Sequence, residues 1–233
     1  RAGGPSGQAH KGETTMANAS TIGFGLRMIE RLGNTPSIGG QSEYLVESAP
    51  GVGIYKGNPV SLQDAAGSEG FLQDASFATT DDTGTGGAAY NATTQSKLVG
   101  VFNGIFYVDN TTKKPRFVNF VDAGTNFGTD YNTGNNNGKA FVNDDPIQEY
   151  MVKVDAACPT SNNGKNFNVN DFTATDNKDG QSTVTLDLVA AASTSMWKIV
   201  RVAEDPENKD ITAAGANMVV VMNPLANLYI ASV

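Results

Sequence analysis

Residues 97–122, KLVGVFNGIFYVDNTTKKPRFVNFVD, form the densest apolar and aromatic stretch of the chain. Residues 98–108 carry apolar side chains at odd and even positions, so an extended chain would be apolar on both faces. Residues 109–114 are polar turn material, and an aromatic, β-branched run resumes after Pro115. The stretch predicts a β-hairpin whose first strand is central in a sheet, barrel or subunit contact, because such a strand would aggregate at an open edge.

We expect this hairpin to form hydrophobic core and to carry no chemistry. Strict alternation along its first strand assigns the apolar side chains to two faces. One face would hold Leu98, Phe102, Phe106 and Val108, and the other Val99, Val101, Ile105 and Tyr107.

The composition favours a loop-rich β protein. Only 39% of the 233 residues are apolar, 26 are glycine, and Asn, Thr, Ser and Asp are concentrated between the apolar runs. The net charge of −8 argues against nucleic acid as a partner, since phosphate binding needs a basic patch, and against an anionic membrane surface. No apolar run approaches the ~20 residues of a membrane-spanning helix.

Turn-forming residues divide the chain into short segments that are candidate β-strands. Residues 20–33 are ambiguous and could form one or two helical turns at most. We predict a mainly β fold: a β-sandwich or barrel of about nine to eleven short antiparallel strands, with long Gly/Asn-rich loops and at most short helices. The predicted strands are 43–47, 53–56, 60–62, 97–108, 116–121, 148–155, 183–189, 197–202, 218–222 and 228–230.

The predicted domain organisation is a flexible N-terminal arm over residues 1–20 and a single β-rich domain over residues 21–233. A soft internal boundary falls in the polar segment 157–180. In the Gly/Asn-rich loop 122–139, Phe127 and Tyr131 are the apolar anchors, which either pack down or meet a neighbouring molecule.

The sequence offers no catalytic, cofactor or metal residues. Cys158 and His10 are the only cysteine and histidine, and they lie far apart in the sequence, so neither a nucleophile with its base nor a zinc site is indicated. Trp197, at the start of a strand, is expected in the core. The Asp-rich loops leave a weak Ca²⁺ site open, although the EF-hand spacing is absent. Their candidate ligands are Asp81, Asp82, Asp171, Asp176 and Asp179.

Five segments resemble virion structural proteins of marine tailed bacteriophages, and the resemblance runs with gaps from about Met16 to Asp210. The segments are MANASTIGFGLR, GNPV, LVGVFNGIFYVDNTTKKPRFVNFV, NDDP and KIVRVAEDPENKD. Proteins of this kind belong to the capsid, as shell subunit or as decoration protein. The resemblance implies a viral protein of the virion, assembled in the host cytoplasm, and carries over no functional residue.

We therefore expect a non-enzymatic capsid decoration or cement protein that stabilises the head through protein–protein contacts. Its partners would be capsid proteins and copies of itself, with a homotrimer favoured. The first alternative is the major coat subunit, which would need a long amphipathic spine helix that the sequence does not show. A second alternative is a secreted β-sandwich carbohydrate-binding or adhesin module, with aromatic residues on one exposed strand face.

Overall fold

The computed structural model describes residues 18, 20–33, 35–37, 39–63, 70–75, 96–131, 133–170, 179–189 and 191–231. Within these residues the chain forms three antiparallel sheets and no α-helix; a 3-10 turn spans Thr160–Asn162. The mainly β prediction is confirmed, and the arrangement is consistent with a β-sandwich.

In the described residues, fifteen strands make up the sheets. In chain order they are β1 (Arg27–Arg31), β2 (Thr35–Pro36), β3 (Ser42–Val46), β4 (Ile54–Tyr55), β5 (Pro59–Leu62), β6 (Leu72–Asp74), β7 (Leu98–Val108), β8 (Pro115–Val118), β9 (Phe120–Val121), β10 (Gly138–Asn143), β11 (Gln148–Lys153), β12 (Asn166–Asn170), β13 (Thr185–Asp187), β14 (Trp197–Val202) and β15 (Asn217–Met222). A seven-stranded sheet has the order β13-β12-β14-β15-β11-β1-β2. A six-stranded sheet has the order β3-β10-β7-β5-β6, with β8 also pairing with β7, and β4 pairs with β9.

The predicted count of nine to eleven strands is too low. Strand β12 lies in the polar segment 157–180. Strand β10 begins in the Gly/Asn-rich loop 122–139 and continues through residues to which the sequence assigned no strand. β2 and β6 have only two and three residues, too few to show an alternating pattern. These strands exist because a neighbouring strand pairs with them, not because of their own propensity.

Residues 20–33, which the sequence left ambiguous with one or two helical turns at most, contain β1 and no helix. Leu26, Ile29 and Leu32 have helical spacing, but β1 pairs with β11, with Met28 opposite Tyr150. The spacing that the structure uses is the two-residue step from Leu26 to Met28, since both side chains pack into the first core. Pairing across the sheet therefore overrides the local helical pattern.

The predicted strand over 228–230 is also wrong, because Asn227 turns the chain there. Its side-chain Oδ1 accepts hydrogen bonds from the backbone N–H groups of Tyr229 (2.7 Å) and Ile230 (3.0 Å). An Asn side chain that bonds the following backbone in this way competes with strand formation.

Strand β7 joins two hydrophobic cores. The first core lies on the inner face of the seven-stranded sheet and includes Leu98 and Val101 of β7. The second core lies on the opposite face of the six-stranded sheet, beside β4 and β9, and includes Phe102 and Ile105 of β7. The prediction that the hairpin's first strand is central and apolar on both faces is confirmed.

Two β-bulges overturn the predicted assignment of β7 side chains to faces. In the pairing with β5, Val60 lies opposite Gly100 and Ser61 opposite Leu98, so the residue between them is skipped. In the pairing with β10, Phe141 lies opposite Gly104 and Val142 opposite Phe102, so the residue between them is also skipped. Each bulge shifts the alternation by one residue, which places Val99, Phe102, Ile105 and Tyr107 together in the second core.

The outward face of the seven-stranded sheet is partly covered by the segment before β1. Lys153 of β11 points to this face, yet it is only 2% exposed. Its Nζ donates to the backbone oxygens of Ser20 (3.0 Å) and Gly215 (3.4 Å), and Glu207 lies 3.7 Å away. These partners satisfy a buried ammonium that would otherwise be costly. Of the predicted arm, only Asn18 and Ser20 are described, so the arm stays a prediction.

Gly100 allows β7 and β10 to approach closely, and its replacement tests the bulged packing. A Cβ at this position would lie 2.1 Å from the backbone oxygen of Asn143. We expect Gly100→Ala to lower the free energy of unfolding by about 3 kcal/mol, because the backbone must move. Urea denaturation measures this change.

The matched control is Gly33→Ala. Gly33 has φ +90° with nothing within 4 Å of an added Cβ, so only backbone strain of about 1–2 kcal/mol is expected. An equal or smaller loss for Gly100→Ala would contradict the close approach of the two strands.

Candidate functional site

Cys158 and Trp197 are core residues. Both are fully buried in the first core, where the Trp197 ring meets Tyr150 edge-on at a centroid distance of 5.4 Å. Burial raises the pKa of the Cys158 thiol, which disfavours the nucleophilic thiolate. The expectation that Trp197 lies in the core is confirmed.

Of the candidate Ca²⁺ ligands, only Asp179 belongs to the described residues, and it is exposed. His10, Asp81, Asp82, Asp171 and Asp176 lie outside them. Within the described part of the chain, no three His, Cys, Asp or Glu side chains converge to hold a metal ion. The same residues include no helix long and apolar enough to cross a membrane.

Two carboxylates converge on the outward face of the seven-stranded sheet, where Arg201 bridges them. Its Nη1 lies 2.7 Å from Oε2 of Glu149, and its Nη2 lies 2.7 Å from Oε1 of Glu30. Glu149 is only 1% exposed, so the arginine compensates a buried charge and ties β1, β11 and β14 together. The contact is a structural ion-pair cluster.

An aromatic face is the most prominent exposed feature of the six-stranded sheet. We use this name for Leu45, Phe106, Phe117 and Phe141, on β3, β7, β8 and β10 respectively. Phe117 is 64% exposed and Leu45 46%, and the other two are half-buried. Contiguous exposed apolar side chains of this kind mark interaction surfaces.

Strand alternation places these side chains on the side away from the second core. Ala140 and Val142 are fully buried in that core, so Phe141 between them points outward. Val118 packs against the same core, and its neighbour Phe117 lies opposite Phe106 in the β7–β8 pairing. Lys139 lies between Leu45 and Phe106 in register, which gives the face a cationic group.

The Phe117 ring is held in place by the second bulge of β7. It lies over Gly104, where an added Cβ would come within 3.2 Å of the ring Cζ. It also contacts Phe141, with ring centroids 5.6 Å apart and planes tilted by 52°. A phenyl ring that covers a strand glycine shields the glycine backbone from water. The same contact restricts the ring, so the side chain loses less conformational entropy when a partner binds.

The turn before β8 positions Phe117. The Asp109 carboxylate accepts hydrogen bonds from the backbone N–H groups of Thr111 (2.9 Å) and Thr112 (2.8 Å) and lies 3.1 Å from Nη1 of Arg116. Lys113 takes a left-handed conformation, with φ +56°, and its backbone N–H donates to the backbone carbonyl oxygen of Asp109. These bonds close the hairpin with β8 in register.

The two anchors of the loop over 122–139 differ in burial. Phe127 is 3% exposed and packs against Tyr107 at a centroid distance of 4.7 Å. Tyr131 is 78% exposed.

Sequence reasoning found Phe106 and Phe117 as hairpin residues but did not identify the aromatic face. Phe141 belongs to β10, which the sequence left unassigned, although residues 140–142 do alternate. The bulge at Gly104, which brings Phe117 onto Phe141, depends on pairing between distant strands.

The chain matches no protein-family model, and comparison with the curated proteins and with the solved structures gives no match either.

The Asp109 turn predicts a pH dependence of the hairpin. The Thr112 backbone N–H, with help from Arg116 and Thr111, lowers the pKa of Asp109 from 3.8 to about 2. A lowered carboxyl pKa contributes stability that is present above pH 3.8 and is lost as the pH falls toward 2. Carbon-13 NMR titration of the Asp109 carboxyl should give this low pKa.

Asp109→Asn is the control, since it should remove the change that the NMR signals of β7 and β8 show as the pH falls from 3.8 toward 2. An Asp109 pKa near 3.8 would show that the turn bonds do not persist in solution.

Proposed function

We propose that the chain is a non-enzymatic virion structural protein, a capsid decoration or cement protein that docks on the phage shell through the aromatic face. The observation that carries this proposal is the exposed, preorganised Phe117 ring, supported by Phe106 and Phe141. Aromatic anchors of this kind dominate the binding energy of protein interfaces. The resemblance to virion proteins supplies the partner: capsid proteins, in a virion assembled in the host cytoplasm.

The proposed mechanism is linkage. A protein that binds the assembled shell more tightly than the free subunits shifts the equilibrium toward intact heads. The net charge of −8 suits an exterior location away from packaged DNA. The coat alternative calls for a long spine helix, and the described residues contain no α-helix.

A carbohydrate-binding module is the second candidate, because it also calls for aromatic side chains on one exposed strand face. A sugar ring stacks best on a flat aromatic platform, whereas Phe117 and Phe141 are tilted by 52° to each other. That tilt fits the irregular surface of a protein partner better.

Co-sedimentation with heads assembled from the coat protein of the encoding phage tests the proposal. The wild-type chain should bind heads, and Phe117→Ser should weaken binding by about 2 kcal/mol, or roughly thirtyfold in Kd. The control is Val189→Ser, since Val189 is 86% exposed and lies away from the aromatic face.

Val189→Ser should fold as the wild type does, because substitutions at such exposed positions rarely change stability by more than ~0.5 kcal/mol. Phe117→Ser also removes the contact of this ring with Phe141, about 1 kcal/mol, so its thermal unfolding should show a folded protein at the assay temperature. Equal head binding by the Phe117→Ser variant and the wild type would refute docking through this face. Loss of head binding alongside binding of a soluble glycan would favour the second candidate.

The solution mass of the chain tests its assembly state. We expect a closed oligomer, with a trimer favoured, and a mass that does not change with chelator. Light scattering with and without EDTA measures it. A monomer that loses thermal stability in EDTA would contradict the proposal and indicate a Ca²⁺-dependent binding module.

A further inference from the structure

A cleft of about 480 Å³ lies between the start of β1 and the central strand β7, where the two large sheets meet. Its size falls in the range of ligand sites. Leu26, Val101, Phe102 and Tyr150 form an apolar lining, and each is at most 4% exposed.

The cleft is lined by polar side chains that make no hydrogen bond or ion pair within the described residues. Arg27, Gln41, Lys56, Asn103 and Asn119 line it. Within the described part of the chain, none of these five side chains makes a hydrogen bond or an ion pair. Arg27 instead stacks its guanidinium over the Phe24 ring, 4.6 Å from the centroid. Arg27, Gln41, Lys56 and Asn119 are exposed, so water solvates them in the free protein and they are available to a ligand with several acceptors.

The charges at the cleft favour a carboxylate. The lining contains two cations, Arg27 and Lys56, and one carboxylate, Asp179, which already interacts with another group of the protein. This local positive excess occurs in a chain with a net charge of −8. Charge-assisted bonds from such cations to a carboxylate are stronger than neutral hydrogen bonds.

The cleft suits a peptide better than a sugar. Sugar sites offer an open aromatic ring, but Phe102 and Tyr150 are 1% exposed and Arg27 covers a face of Phe24. Side-chain amides such as those of Gln41, Asn103 and Asn119 can pair with a peptide backbone, which has alternating donors and acceptors.

The cleft and the aromatic face take residues from the same two strands, β7 and β10. Asn143 lines the cleft two residues beyond Phe141 on β10, and Asn103 is adjacent to Gly104, which Phe117 covers. The cleft residues Asn103 and Asn143 therefore lie within three residues of the aromatic face along these strands, a distance that one extended segment can span.

We propose that this cleft binds an extended acidic peptide segment, with an Asp or Glu placed between Arg27 and Lys56 and an apolar side chain on the lining. This inference rests on the proposed function, because the segment would belong to the capsid protein that docks on the aromatic face.

Selection from an mRNA-displayed library of random octapeptides on the immobilised chain tests the inference. Enriched peptides should place Asp or Glu next to an apolar residue, and a synthetic copy should bind about tenfold more weakly to Arg27→Gln and to Lys56→Gln. Lys198→Gln is the matched control, because Lys198 lies on β14 and does not line the cleft. Thermal unfolding should be unchanged in all three variants.

Absence of enrichment, enrichment without acidic residues, or equal binding by Lys56→Gln and Lys198→Gln would overturn the inference. Stronger binding of trigalacturonate than of the selected peptides at the same site would also overturn it, in favour of an acidic sugar. The Phe117→Ser test on heads is independent. If Phe117→Ser weakens head binding while the selection enriches no acidic peptide, only the cleft assignment is lost. If acidic peptides are enriched while Phe117→Ser binds heads as the wild type does, docking through the aromatic face is rejected.

Discussion

Burial of β7 on both faces is the constraint on which the rest of the structure depends. Leu98 and Val101 enter the first core while Phe102 and Ile105 enter the second, so a single strand serves two hydrophobic cores. A strand with strict alternation could not distribute these residues in this way. The two bulges make the distribution possible, and Gly100 and Gly104 lie next to them.

The candidate interaction surface is a consequence of the same arrangement. The first core takes apolar side chains only from the first half of β7, at Leu98 and Val101. In the second half, past Gly104, the outward-facing Phe106 is half-buried, and β8 and β10 place Phe117 and Phe141 beside it. The cleft lies near the boundary between the covered and the exposed halves, which explains why an apolar lining and unpaired polar groups occur together there.

Much of the fold could be predicted from local patterns, but the site could not. The strand predicted over 148–155 is present as β11, with Tyr150 and Val152 in the core, and the dense apolar run correctly marked β7 as central. The bulges, the pairing of β10 and the strand character of β1 depend on contacts between distant residues, which a local pattern does not contain. The aromatic face combines residues from four strands, so no single stretch of sequence could indicate it.

The central claim is that Phe117 and its neighbours contact a protein partner. Hydroxyl-radical footprinting of the chain alone and bound to heads, read out by mass spectrometry, tests it most directly because it reports side-chain exposure. We expect oxidation of Phe117 and Phe141 to fall several-fold on binding while Val189 stays as reactive as before. Unchanged oxidation of Phe117 on bound chains would show that this ring does not contact the partner.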